Sequence, residues 1–294
     1  MDIFGIPSPA FFGQLLLGLI NGSFYAILSL GLAIIFGLLN IINFAHGAQY
    51  MVGAFVAWMA LTWLGIGYWW SLILSPLAVG AVAVVIERTM LRHLYKLDHL
   101  YGLLLTFGLA LIAEGVFKNY FGVSGSSYEV PELLQGGMNL GFMYLPIYRA
   151  WVVVAAMTVC FSAWYAIERT SLGATLRAAT QRPDLVQALG INVPVLLTAT
   201  YAAGAALAAF AGVLAAPIQQ VNPVMGSNLI IVVFAVVVIG GMGSILGSIL
   251  TGLGLGVIEG LTKVFYPEAS AVVIFVVMVL VLLVKPAGLF GKQA

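Results

Sequence analysis

The chain is poor in charge. Asp, Glu, Lys and Arg make up only 7% of its 294 residues, 63% are hydrophobic, and the mean hydropathy is +1.12. A soluble domain carries roughly 25% charged residues, so this chain could not cover its own surface in water, and lipid must be its solvent. Its length alone would suggest about two soluble domains. That expectation does not apply to a bundle in a bilayer, and no polar stretch is long enough to fold separately. An excess of either charge sign is missing too: the net charge of +1 argues against nucleic acid as a partner. The only cysteine, Cys160, lies in an apolar run, so no intramolecular disulfide can form. His46, His93 and His99 are the only histidines. There is no His-Glu-x-x-His, no cysteine pair and no phosphate loop, and Gly243-Ser244 lacks the frame of a nucleophile elbow. No metal site, cofactor or catalytic group is therefore expected on this chain. The apolar runs also lack the chain of buried acids of a proton-coupled pump, so uphill transport would need energy from another polypeptide.

Long apolar runs are abundant. A span needs about 20 apolar residues, and candidates fall at 11–36, 41–64, 69–86, 102–121, 147–167, 195–216, 227–243, 246–264 and 269–285. The expected fold is all-α: one polytopic transmembrane helix bundle over residues 1–294 with about eight to ten spans, some broken or re-entrant. Residues 1–10 lack the basic start of a cleavable signal, so the first run is kept as a span. Basic loops stay in the cytoplasm. Glu87–His99 carries Arg88, Arg92 and Lys96, and the tail carries Lys285 and Lys292. The 122–146 stretch has Glu129 and Glu132 but no base, which fits the outer side. Together these place the N-terminus outside, in parity with the span list.

The best-organised polar segment is 168–194, with Arg169, Arg177 and Arg182 against Glu168 and Asp184. It reads as a cytoplasmic knob of two short helices. The first covers about 172–180, with Leu172, Ala174, Leu176, Ala178 and Ala179 between polar residues. Pro183 suits the first position of the second helix, Asp184 its positive end and Gly190 its stop. A Leu185/Ala188/Leu189 face would suit docking into a soluble partner's groove. The alternative is a solvated loop whose charge only sets orientation.

Two interruptions stand out. Asn40, Asn43 and His46 recur at three-residue spacing beside Gly47, followed by Gln49 and Tyr50. Polar groups at membrane depth need protein or water partners, so the cluster reads as a broken helix lining a translocation path. For His46 alone a short turn with Asn43 as a cap is the better reading. Asn21, Ser23 and Tyr25 are weaker candidates for the same path; Asn21 and Tyr25 share a helix face. Gly240, Gly241, Gly243 and Gly247 form the second interruption, continued by Gly252, Gly254, Gly256 and Gly260, and read mainly as packing positions. A weak repeat matches 104–121 with 249–266, pairing Thr106 with Thr251, Glu114 with Glu259 and Lys118 with Lys263; chance similarity competes with duplication. Each Glu precedes its Lys by four residues, and mutual pairing is the expected role.

The stretch LLLGLINGSFYAILSLGLAIIFGLLNIINFAHGAQYMVGAF, with Asn-Phe-Ala-His-Gly at 43–47, resembles LivH-type permeases, the membrane subunits of bacterial ABC importers for branched-chain amino acids. SLGATLRAATQRPDLVQALGINV (171–193) is similar to their cytoplasmic coupling loop, and VVVIGGMGSILGSILTGLGLGVIEG (236–260) to their Gly-rich segment. The resemblance implies a permease fold in the bacterial inner membrane and a second, LivM-type permease as partner. It also implies two cytoplasmic ATPase subunits, which bind the ATP and Mg, and a periplasmic binding protein. The knob, through Leu172, Leu176, Arg177, Ala178, Ala179, Asp184, Leu185, Ala188 and Gly190, would couple ATPase closure to the path. Related systems carry urea, amides or aromatic acids, so the cargo is not fixed by the family. A self-sufficient secondary transporter is the competing class.

Overall fold

A computed structural model describes residues 2–3, 6–39, 41–95 and 97–291, so Asn40, Lys96 and Lys292 lie outside the described residues. After a short antiparallel pair, β1 (Asp2–Ile3) with β2 (Ile6–Pro7), the chain is helical. The apolar helices are α1 (Ser8–Leu39), α2 (Ala45–Leu64), α3 (Tyr68–Thr89), α4 (His99–Phe121), α5 (Ile147–Glu168), α8 (Val193–Ala215), α9 (Met225–Gly240), α10 (Ile245–Phe265) and α11 (Val273–Val284). Between α5 and α8 lie the short helices α6 (Ser171–Gln181) and α7 (Pro183–Ala188). The strands β3 (Gly137–Asn139) and β4 (Tyr144–Pro146) form a hairpin between α4 and α5.

Each apolar run has become a helix, but not all of them are spans. Seven are long and apolar enough to cross a bilayer, whereas α9 has 16 residues and α11 has 12. At 1.5 Å per residue, α11 extends only about 18 Å against a hydrocarbon core of about 30 Å. The expected spans at 227–243 and 269–285 are thus corrected to short helices, because Gly241 at φ +101° and the turn through 270–272 cut them.

Successive helices alternate in direction. One end of the bundle gathers the turn after α3, the α6–α7 hairpin and the segment after α11, the three basic segments of the sequence; it is called the basic end. Thr180 of α6 meets Leu38 at the end of α1, and Gly241 packs against Gly288. The opposite end holds the β3–β4 hairpin, where Ser126 bridges Val221 and Tyr68, Tyr128 and Tyr148 cluster.

Helix α1, with 32 residues, is about 48 Å long and forms the spine. It is apolar all round and buried over most of its length, as a central helix should be. Small residues bring α10 against it antiparallel: a Cβ at Gly252 would lie 2.6 Å from Ala26 N, and one at Gly260 would lie 2.5 Å from Gln14 O. Gly254, two residues off this stripe, has nothing within 4 Å. Gly31 faces Gly204 of α8 and Gly47 faces Gly226 of α9 in the same manner. In lipid, where apolar surface gives helices no reason to associate, such close backbone approach supplies the packing. By contrast α4 is peripheral; its Phe117 and Phe121 rings rest on Phe55 of α2 at 4.7 and 5.0 Å.

Gly256→Leu should therefore force α1 and α10 apart at a cost at or above the usual overpacking range of about 1–3 kcal/mol. Gly254→Leu should leave the Tm in detergent within error of the parent. Thermal unfolding of both variants checks the pair, and equal losses would remove the seam from its place in the fold.

Candidate functional site

Residues 41–44, between α1 and α2, are not helical. Ile41–Phe44 runs back alongside the last turns of α1, and α2 starts deep inside the bundle, since His46 Nε2 lies 3.0 Å from the Leu28 carbonyl. Eight residues of α1, about 12 Å, extend past Gly31, the level at which α2 begins. Non-helical backbone at this depth has no water to satisfy it. Its partner is Thr106 of α4, whose hydroxyl accepts from Phe44 N and donates to Ile42 O, both at 3.1 Å. Phe44 seals the segment between Phe107 of α4 and Phe234 of α9.

Asn43, His46 and Gln49 come together here, all buried. Asn43 Nδ2 donates to Gln49 Oε1 at 3.4 Å, and Gln49 Nε2 donates to the Tyr201 hydroxyl of α8 at 3.2 Å. Asn43 Oδ1 and His46 Nδ1 are buried without a hydrogen-bond partner. The weaker path candidates lie elsewhere: Ser23 donates to Leu19 O of its own helix, Asn21 is half-buried, and Tyr25 donates to Glu259 of α10 at 2.7 Å. Lys263 and Lys118 each pair with the Glu four residues earlier at 2.6 Å. The repeat partners Thr106 and Thr251 differ in role, since the Thr251 hydroxyl is buried without a partner.

Four residues that sequence reasoning did not single out extend this polar set. Glu87, assigned from sequence to the start of the basic loop, is the last-turn residue of α3 and only 1% exposed. Its Oε1 accepts from the Tyr95 hydroxyl at 2.7 Å and its Oε2 from Thr198 of α8 at 2.6 Å. Burial, and donation to this carboxylate, hold the Tyr95 phenol above its usual pKa, so it remains a donor. The fourth is Thr180, whose hydroxyl donates to Leu38 O at 3.0 Å and so joins α6 to α1. Tyr95 and Thr180 both line a cavity of about 330 Å³ at the basic end, bounded also by Leu38, Asp98, His99 and Leu197.

In the α6–α7 hairpin, Pro183 opens α7 with Asp184 in its first turn. Gly190, at φ +83°, donates to Gln187 O while Ile191 donates to Val186 O, the two bonds of a Schellman stop. The residues named for coupling divide into two sets. Leu176 and Ala179 are buried, and Ala179 packs with Val186 and Val193 to seat the hairpin on α8. Leu172, Ala178, Asp184, Leu185, Ala188 and Gly190 are exposed, and Leu185 and Leu189 reach 61% and 80%. Arg177 is turned inward on Ile167 O at 2.9 Å and lies 3.6 Å from Glu168. In the glycine segment, Gly240 packs on Gly247 and Gly243 on Gly37, while Gly241 faces Gly288 and Gly291.

Among the described residues, seven helices long and apolar enough to span, with a buried break between the first two, define a multi-pass membrane protein of the permease class. Residues 14–282 match the family described as branched-chain amino acid transport system, permease component. The chain is 33% identical over 296 residues to the high-affinity branched-chain amino acid transport system permease protein BraD of Pseudomonas aeruginosa, covering 95% of each protein. It is 31% identical over 300 residues to LivH of Escherichia coli, covering 96% of each. LivM of Escherichia coli is 27% identical over 292 residues, which is 90% of this chain and 67% of that protein. No solved structure matches. The chain belongs to the branched-chain amino acid transport system permease family.

Thr106→Val should strand the Phe44 N–H and the Ile42 carbonyl and cost about 1–3 kcal/mol for each buried group left unpaired. Thr251→Val removes a hydroxyl that bonds nothing and should be neutral or stabilising. Comparing the two Tm values tests whether the break is held from α4.

Proposed function

We propose that this chain is the LivH-like half of a heteromeric permease in a bacterial inner-membrane ABC importer for branched-chain amino acids. The observation that carries the reading is the end-to-end similarity to BraD and LivH. The lower similarity to LivM supports a LivM-type second permease as the partner. Two cytoplasmic ATPase subunits bind ATP and Mg and supply the energy, and a periplasmic binding protein delivers the cargo. This chain itself performs no hydrolysis and binds no cofactor.

In this reading the exposed apolar face of α6–α7 is the ATPase dock, while the buried Leu176 and Ala179 transmit its motion. The path runs past Asn43, His46 and Gln49, with Asn40 beside them in sequence. The buried, sealed arrangement of these residues corresponds to a closed state. The two unpartnered acceptor-capable atoms, Asn43 Oδ1 and His46 Nδ1, are groups that could meet an ammonium or amide passing through an otherwise apolar route. Asn21, Ser23 and Tyr25 belong to the same route, further toward the end opposite the basic one.

The coupled substitution Leu185→Asp with Leu189→Asp puts charge on two exposed side chains. It should reduce ATPase copurification by more than about tenfold, the loss expected on placing a charge in an apolar interface, with the bundle still monodisperse. Leu176→Asp should instead disturb the hairpin itself. Purified alone in vesicles, the chain should accumulate no leucine, isoleucine or valine under any ion gradient. Such accumulation, or full ATPase retention by the double variant, would overturn the reading.

A further inference from the structure

Glu87 stands apart from the other acids near the bundle core. Glu114 and Glu259 pair with lysines on their own helices, but among the described residues Glu87 has no cationic partner within salt-bridge distance. A buried carboxylate without a cation is costly, and both its oxygens are instead held by hydroxyls from two different elements. Tyr95 lies in the turn after α3, and Thr198 sits less than two turns into α8. Glu87 therefore clamps that turn to the beginning of α8.

Both elements line the basic-end cavity, through Tyr95 and Leu97 of the turn and Val193 and Leu197 of α8. A third wall is α6, tied to α1 by Thr180. The hairpin also rests on Val193, the first residue of α8. Displacement of the hairpin thus bears on the α8 start, five residues before Thr198. One turn further along the same face, Tyr201 holds Gln49 at the broken segment. The hydrogen bonds and the shared face of α8 form a continuous thread from the cavity wall to the polar break.

We infer that Glu87, Tyr95 and Thr198 form a latch that holds the walls of the basic-end cavity together and keeps it narrow, with Glu87 as its positioning residue, and that it must open for solute to leave the bundle. This rests on the importer reading above. A latch and a mere staple differ in what their loss changes. Losing a staple lowers stability, whereas losing a latch opens the cavity and uncouples transport while the fold persists.

The test uses the assembled importer with its ATPases and binding protein in nanodiscs. The one native cysteine, Cys160, is buried, so a Leu197→Cys reporter in the cavity wall can be labelled by a membrane-impermeant maleimide over a low background. Thr198→Val and Tyr95→Phe each remove one donor while keeping volume. Each should speed labelling at position 197 about tenfold, the population shift from losing one buried hydrogen bond. Each should also lower leucine transported per ATP hydrolysed. Thr198→Ser restores the hydroxyl and should return both readings to the parent's. Parent-like labelling and coupling in both donor variants, or failure of Thr198→Ser to rescue, would overturn the latch. If no ATPase assembles with the chain, the importer reading fails, and labelling of the lone subunit still decides whether the cavity is latched.

Discussion

Everything polar in this bundle follows from one constraint: backbone that leaves the helix inside a membrane must find its hydrogen bonds within the protein. The chain breaks this regularity at Ile41–Phe44 and meets the constraint with a single side chain, the Thr106 hydroxyl, which serves a donor and an acceptor at once. The neighbouring Asn43, Gln49 and Tyr201 then satisfy much of one another's hydrogen-bonding capacity. A break that was only a turn between two spans would sit at the surface, where water would do this work. Burial of the segment is what separates a re-entrant element from a loop.

The small residues make room for that break. Non-helical chain and an incoming helix α2 both have to fit beside α1, and Gly31 lets the His46 ring lie against its backbone. Gly47 admits α9 and Gly53 admits α8 on the other faces of α2. The same logic runs down the α1–α10 seam. Glycine costs helix propensity in water, but here the lost side chain is returned as close contact between backbones.

Hydropathy made the nine apolar runs legible, because lipid demands long uninterrupted apolar stretches wherever a helix crosses. The hairpin was equally legible, since Pro183 and Gly190 act through local backbone geometry that needs no tertiary context. The polar break was visible as Asn43, His46 and Gln49 beside Gly47. Which faces pair was not legible: helices apolar all round carry no stripe to orient them, and Leu176 and Ala179 look no different in sequence from the exposed Leu172 and Ala178. Glu87 escaped notice because it adjoins Arg88 and a basic loop, where an acid ordinarily faces water. Thr106 and Tyr201 lie within apolar runs, and only the third dimension places them against the break and Gln49. The shortness of α9 and α11 was hidden for a related reason. The apolar run at 269–285 opens with a turn through 270–272 that hydropathy does not register, so α11 starts only at Val273.

Packing and polar contacts have different work to do in such a molecule. Between helices already in lipid, apolar contact is gained in one arrangement about as easily as in another, so it fixes shape without favouring one state strongly. Hydrogen bonds are directional, and those between the basic end and the broken segment are discrete: Thr180 to Leu38, Tyr95 and Thr198 to Glu87, and Gln49 to Tyr201. Each joins elements far apart in sequence or across a turn. A force applied at the exposed α6–α7 face therefore meets a smooth, sliding seam of glycines and a short series of discrete bonds. The difference in free energy between two arrangements of the bundle is then set by those few bonds, which is the condition under which a docked partner can drive a switch between states rather than a gradual distortion.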